Sequence, residues 1–351
     1  MDSLDNKVGL VMVFLSWMPS PLKKSIYRLL GAKIGKHVSL GIGSVIVARS
    51  FKNVSIGDYS TVDSFCMIIC DHIKLGEDAH IGPFVWVYGG SMLWMIPREC
   101  TFSMGNVTYI GARSVINVTE DVSIGDYTGI GAGVTIYTHG FQASYIDGEP
   151  RKEAPVKIGK HVWVQPKSIV LPGVAIGDGS IIASGSVVTK DIPANVFATG
   201  CPCAPKSDVS LLKKGNSIDE REERTLKVIA DYFASLKFFK KDKVQIKEAE
   251  KNCWELSLKR YFGLGSKKYL ICYLRKTDEA AVEKISRSKE RIILISLQEI
   301  AENLEKVLNK NDILWIDLQR KRIIHKEGLP PMFYPFLKDY YGVGLLCSEG
   351  K

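Results

Sequence analysis

None of the eight cysteines, at Cys66, Cys70, Cys100, Cys201, Cys203, Cys253, Cys272 and Cys347, belongs to a Cys-x-x-Cys pair or has a histidine at metal-ligand spacing. That excludes the common zinc modules, and no metal is expected. The chain also has no Walker-type phosphate loop and no dinucleotide fingerprint. The apolar run Val8–Met18 falls short of the roughly 20 residues that a spanning helix needs. No secretory leader is recognisable. With the cysteines read as reduced thiols, the expected location is cytoplasmic.

What is present is an ordinary folding composition. The 351 residues are 46% hydrophobic and 24% charged, enough to bury a large core in about two domains. The net charge of +9 is uneven: residues 1–205 carry 17 Lys and Arg against 16 Asp and Glu, and residues 206–351 carry 30 against 22. A basic excess favours anionic partners or is simply a solvated surface. No nucleic-acid partner is expected. Residues 1–30 read as a helical segment, with Lys23, Lys24 and Arg28 following the apolar run. Such a segment either lies on a membrane surface or packs over the open end of the next domain.

The dominant feature is a repeat. An aliphatic residue followed by Gly recurs in Ile34-Gly35-Lys36-His37, Ile56-Gly57-Asp58-Tyr59, Leu75-Gly76-Glu77-Asp78, Ile110-Gly111-Ala112-Arg113, Ile124-Gly125-Asp126-Tyr127, Ile158-Gly159-Lys160-His161 and Ile176-Gly177-Asp178-Gly179. The last two copies start 18 residues apart, which is three hexads and one turn of a coil. One copy is a β-turn, whereas copies in phase stack into a shared core. The expectation is a parallel β-helix over residues 31–205, interrupted by outward loops at 89–109 and 137–157. The second of these places His139 on a loop. Gly89–Met104, with Met92, Trp94, Met95, Phe102 and Met104 around Pro97, needs cover, either from a neighbouring subunit or as a wall of an acceptor site.

These coils resemble the hexapeptide-repeat acyltransferases. The match is most specific in Pro155–Val164, Ile169–Asp178 and Ala183–Pro193, ending at Gly200-Cys201-Pro202-Cys203, an order similar to the galactoside, maltose and nodulation-factor O-acetyltransferase branch. The resemblance implies a mainly β protein, a left-handed parallel β-helix forming a homotrimer with sites at subunit interfaces, and acetyl-CoA as acyl donor. It implies His139 as general base, with Asn117 and Glu149 beside it. It also implies Ser184, Thr189 and Lys190 on the cofactor, with Lys206 as a nearby cation. A base suits the chemistry, because a sugar hydroxyl attacks a thioester only as its proton leaves, and imidazole titrates near neutrality. Two departures stand out: Gln165-Pro166 replaces a Gly and a small residue, and Ala204 replaces a cation.

The implied activity is acyl transfer to a hydroxyl of a glycan or its precursor. N-transfer to an amino sugar and a noncatalytic scaffold are the alternatives. His37, His72, His80 and His161 read as turn or surface residues. Beyond Pro205 the hexads stop. A helical apolar spacing runs through Thr225–Phe239, followed by strands at Trp254–Leu258, Tyr269–Leu274, Ile292–Ser296 and Ile313–Asp317 with helices near Asp278–Ile285 and Leu297–Asn309. Residues 206–351 are therefore expected to form a small accessory α/β domain.

Overall fold

The computed structural model describes residues 14–89, 99–140, 145–148, 152–212, 217–240, 244–259, 266–286, 290–324, 329–330, 333–335, 337 and 345–347. The chain divides into two units, Met1–Lys213 and Lys214–Lys351.

The first unit is a parallel β-helix of seven coils with three flat faces. Face one stacks Lys33–Ile34, Val54–Ile56, His72–Leu75, Thr101–Met104, Val122–Ile124, Val156–Ile158 and Ala175–Ile176. Face two runs from Ser39–Leu40 to Ile181–Ile182 and continues into Val196–Gly200 and the antiparallel Cys203–Asp208. Face three runs from Val45–Val47 to Val187–Val188. One aliphatic side chain per strand points inward. Ile46, Ile68, Val87, Ile116, Ile136, Val170 and Val188 form one such column, and each is buried.

The glycines after the face-one aliphatics are required by close approach. A Cβ at Gly125 would lie 2.7 Å from the carbonyl carbon of Gly159, with no room for either backbone to move. Asp in the next position has its own task. Asp126 Oδ1 accepts the Asn106 backbone N–H at 2.8 Å, and Asp178 Oδ1 accepts that of Lys160 at 2.8 Å, each bracing the coil beneath. At the following position His37 and His161 adopt positive φ, 54° and 55°, and stack on Tyr59 and Tyr127. They are turn residues.

Two sequence expectations are corrected here. Residues 101–104 and 109–110 are coil strands, so the first excursion ends at Cys100 rather than at 109. Phe102 and Met104 are core residues, not loop surface, because Met104-Gly105-Asn106 is a further copy of the aliphatic-Gly turn with Met in the inward slot. Residues 90–98, including Met92, Trp94, Met95 and Pro97, lie outside the described residues. The second excursion also closes early: His139 bridges Glu153, and Val156–Ile158 is a coil strand.

The helix Ser20–Leu29 covers the open end of the first coil, whose outer backbone groups have no coil beyond them. Lys23 is fully buried, and its Nζ donates to the carbonyls of Gly41 and Ser44 at 2.6 and 2.9 Å. Lys24 reaches Val38 O, Arg28 reaches Ile34 O and Gly35 O, and Tyr27 Oη accepts the Ile46 N–H. Of the two readings of this segment the structure shows the packed one, with all three cations donating to backbone carbonyls of the coil. No described helix is long and apolar enough to cross a membrane.

Lys23→Met keeps the buried stem but takes the Nζ donor from Ser44 O, at about 1–3 kcal/mol, while Gly41 O keeps the Ser44 hydroxyl and backbone N–H. A lower denaturation midpoint with unchanged m is the expected result. Burial also lowers the Lys23 pKa from 10.5. Between the folded and unfolded values the unfolded chain binds more protons, so stability rises with pH there. That alkaline rise is expected to vanish in Lys23→Met, as read by urea melts at about pH 8 and about pH 10.

The second unit is a seven-stranded sheet with helices on both faces. Its central strands Ser266–Leu274, Arg291–Ser296 and Leu314–Asp317 are parallel, joined through the helices Glu279–Ser286 and Glu302–Lys310. Those two helices pack with Trp315, Leu294 and Ile292 on one side, whereas Ile218–Lys240 packs Ile229, Tyr232 and Phe233 on the other. Buried Asp317 is structural: its oxygens accept the backbone N–H groups of Ile300, Gln319 and Arg320. Cys253 and Cys272 face each other across adjacent strands and form a disulfide, which corrects the reading of all eight cysteines as thiols.

Candidate functional site

The second excursion leaves and rejoins the coil through a short antiparallel clasp. Gly140 N–H donates to Lys152 O, and Ala154 N–H to Thr138 O. The clasp fixes His139 at the corner after face three. Directly beneath it, at the end of Val115–Asn117, sits Asn117, only 2% exposed.

Asn117 Oδ1 is the hub of the corner. It accepts from the Thr119 backbone N–H at 3.3 Å, the Thr138 hydroxyl at 2.9 Å and His139 Nδ1 at 2.8 Å. Because a backbone N–H can only donate, the atom at the hub is the amide oxygen. His139 Nδ1 therefore carries its proton toward Asn117, and Nε2 holds the lone pair. Thr119 Oγ1 lies 3.2 Å from Nδ1 and 3.1 Å from the same oxygen. An imidazole held in this tautomer can take a proton through Nε2.

The structure brings His139 and Asn117 together and spreads the other candidates. Thr189 and Lys190 lie on the same corner two rungs further on, about 10 Å along the axis at the usual strand spacing. Ser184 is on the corner after face two, and Lys206 is on the hairpin strand Cys203–Asp208. Ser184, Lys190 and Lys206 are exposed and Thr189 half-buried. Glu149 lies outside the described residues.

Thr119 and Thr138 were not singled out in the sequence, although an Asn two residues before a Thr is a common turn signal. Gln165 was noted only as a departure. Its Oε1 accepts both the backbone N–H and the hydroxyl of Ser184, at 3.1 and 3.3 Å. A shallow cavity of about 440 Å³ lies beside Lys157, Gly159, Ala175, Gly177 and Asp191, on the two coils nearest Lys190.

The remaining histidines form pairs. His72 Nε2 is 3.0 Å from Glu99, and His80 Nε2 is 2.9 Å from Asp63. Among the described residues, no group of three His, Cys, Asp or Glu side chains is placed to hold a metal.

A three-faced coil of hexads with a histidine clasped at one corner defines the class as a hexapeptide-repeat protein. The family model for the bacterial transferase hexapeptide (six repeats) matches residues 155–190. A galactoside O-acetyltransferase of Lactococcus lactis is 34% identical over 154 residues, covering 42% of this chain and 70% of that protein. The galactoside O-acetyltransferase of Escherichia coli K12 is 38% identical over 125 residues, which cover 32% of this chain and 60% of the relative. A solved galactoside acetyltransferase in complex with coenzyme A is 22% identical, with a TM-score of 0.30 over 57% of this chain and 78% of that one. The chain belongs to the hexapeptide-repeat acyltransferases, whose coil is a left-handed parallel β-helix.

Proposed function

We propose that this protein transfers an acetyl group from acetyl-CoA to a hydroxyl of a sugar, in a glycan or its precursor. The observation that carries the reading is the 2.8 Å hydrogen bond from His139 Nδ1 to Asn117 Oδ1, which leaves Nε2 as the base. Nε2 removes the hydroxyl proton as the oxygen attacks the thioester carbonyl. The tetrahedral oxyanion collapses, and the imidazolium returns the proton to the departing CoA sulfur. Backbone N–H groups suit the oxyanion, each such donor typically being worth about 3 kcal/mol. The galactoside acetyltransferase names of the relatives support a sugar hydroxyl as acceptor.

Ser184, Thr189, Lys190 and Lys206 are the proposed cofactor contacts, and Glu149 a contact to the imidazole or the acceptor. His139 and Ser184 occupy different corners of one chain, which favours a homotrimer whose sites are completed by a neighbouring copy. Face three supports this: its outward side chains, among them Val45, Met67, Trp86, Val115, Ile169 and Val187, make an apolar strip that is only partly covered. A location in the cytoplasm and a role in polysaccharide building follow from an acetyl-CoA donor and a glycan acceptor. Binding should be measured first. Calorimetric titration with acetyl-CoA is expected to show saturable binding that weakens in Lys190→Ala; no binding by wild type would sink the reading. Acceptors that differ only by hydroxyl or amine at one carbon separate O- from N-transfer, and a preference for the amine would overturn the former.

A further inference from the structure

The corner after face three holds a second group of reactive side chains that acyl transfer does not use. Cys70, fully buried, ends the face-three strand Met67–Ile69, and Cys100 is the residue at which the chain rejoins the coil after the first excursion. Thr101 pairs with His72, so Cys100 lies opposite Asp71 and diagonal to Cys70. One rung of about 4.8 Å and one residue of about 3.3 Å put the two Cα atoms roughly 5.8 Å apart, in the middle of the disulfide range. The sulfur atoms are 3.3 Å apart. From there to a bond of about 2.05 Å is a side-chain adjustment that needs no backbone shift.

Asp71, 2% exposed, accepts the Cys100 backbone N–H at 3.1 Å and lies 3.4 Å from Cys100 Sγ, while its other oxygen pairs with Arg49 Nε at 2.8 Å. Cys70 Sγ donates to Cys100 O at 3.2 Å. The hydrogen bond from Cys70 holds the Cys100 thiol below its ordinary value, and the same bond with burial pushes Cys70 up. Cys100, 6% exposed against 0% for Cys70, is the sulfur that a small oxidant reaches first, and Cys70 is placed as the resolving thiol. Cys66, by contrast, has its Sγ 3.0 Å from Gly82 O and, among the described residues, no sulfur partner.

We infer that Cys70 and Cys100 form a redox-active dithiol that a small peroxide converts to a disulfide. The Cys100 thiolate attacks one oxygen of hydrogen peroxide, breaking the O–O bond, and gives a sulfenic acid and, after protonation, water. Cys70 sulfur then attacks Cys100 sulfur, its proton passing to the departing hydroxide, which leaves as the second water. The cystine ties the end of the first excursion to the coil below it, one rung from Asn117 and two from His139.

The test uses the full-length chain, with exposed Cys201 as internal reference. At a peroxide dose that fully oxidises Cys201, non-reduced peptide mapping is expected to recover a Cys70–Cys100 peptide two hydrogens lighter than its parts, reversed by dithiothreitol. In Cys70→Ser, Cys100 should instead accumulate a sulfenic acid trapped by dimedone. The oxidised wild type is also expected to melt at a higher temperature than the reduced form, a difference absent from Cys70→Ser. Oxidised Cys201 alongside free Cys70 and Cys100 thiols would overturn the inference, as would linkage of either residue to any other cysteine.

Discussion

His139→Ala is expected to lower kcat by about 10²–10⁴, the usual contribution of a positioned base, while KM for acetyl-CoA changes little. The effect should be confined to chemistry because His139 is half-buried, and Asn117 Oδ1 keeps its Thr119 and Thr138 donors without it. No buried group is orphaned, so the melting temperature should stay near wild type. Added imidazole should restore part of the rate. Unchanged turnover would remove His139 from the mechanism, and a collapse of acetyl-CoA binding would make it a binding residue instead.

Asn117→Ala is expected to cost nearly as much in kcat by a different route. It removes the acceptor that fixes the imidazole tautomer, and in the serine-protease template a lost tautomer costs about 10⁴ in rate. It also removes an acceptor shared by Thr119 and Thr138, so a modest loss of stability is expected beside the loss of rate. Asn117→Asp separates position from stability. A carboxylate still accepts the Nδ1 proton, but it favours the imidazolium, so more of the base is protonated at a given pH. The acid limb of kcat/KM is therefore expected to move to higher pH than in wild type, with rate recovering as pH rises. A purely structural Asn117 would instead lower the rate by one factor at every pH.

The coils were legible because each turn demands an aliphatic residue and then a glycine, with a backbone packed against the next one. That requirement is local and repeats. It failed to be read at Met104-Gly105, where Met fills the aliphatic slot and the preceding excursion breaks the phase. His139 and Asn117 were site candidates through the family resemblance and the chemistry of an imidazole base, but their contact was not legible, since nothing near either residue in sequence says that a clasp at Gly140 and Lys152 closes over a neighbouring rung. Thr119 and Thr138 act through contacts between rungs, and the tautomer follows from those contacts alone. In the second unit the buried strands showed as apolar runs. Val244–Glu250 did not, because its side chains are mostly exposed and carry no apolar run.

The covered first coil also bears on how the protein stays discrete. A β-helix offers at its open end a row of unpaired N–H and C=O groups in register with those of any identical coil, which makes it a template for its own copy. The helix Ser20–Leu29, by occupying those groups with Lys23, Lys24, Arg28 and Tyr27, keeps coils of separate molecules from stacking end to end into a fibre.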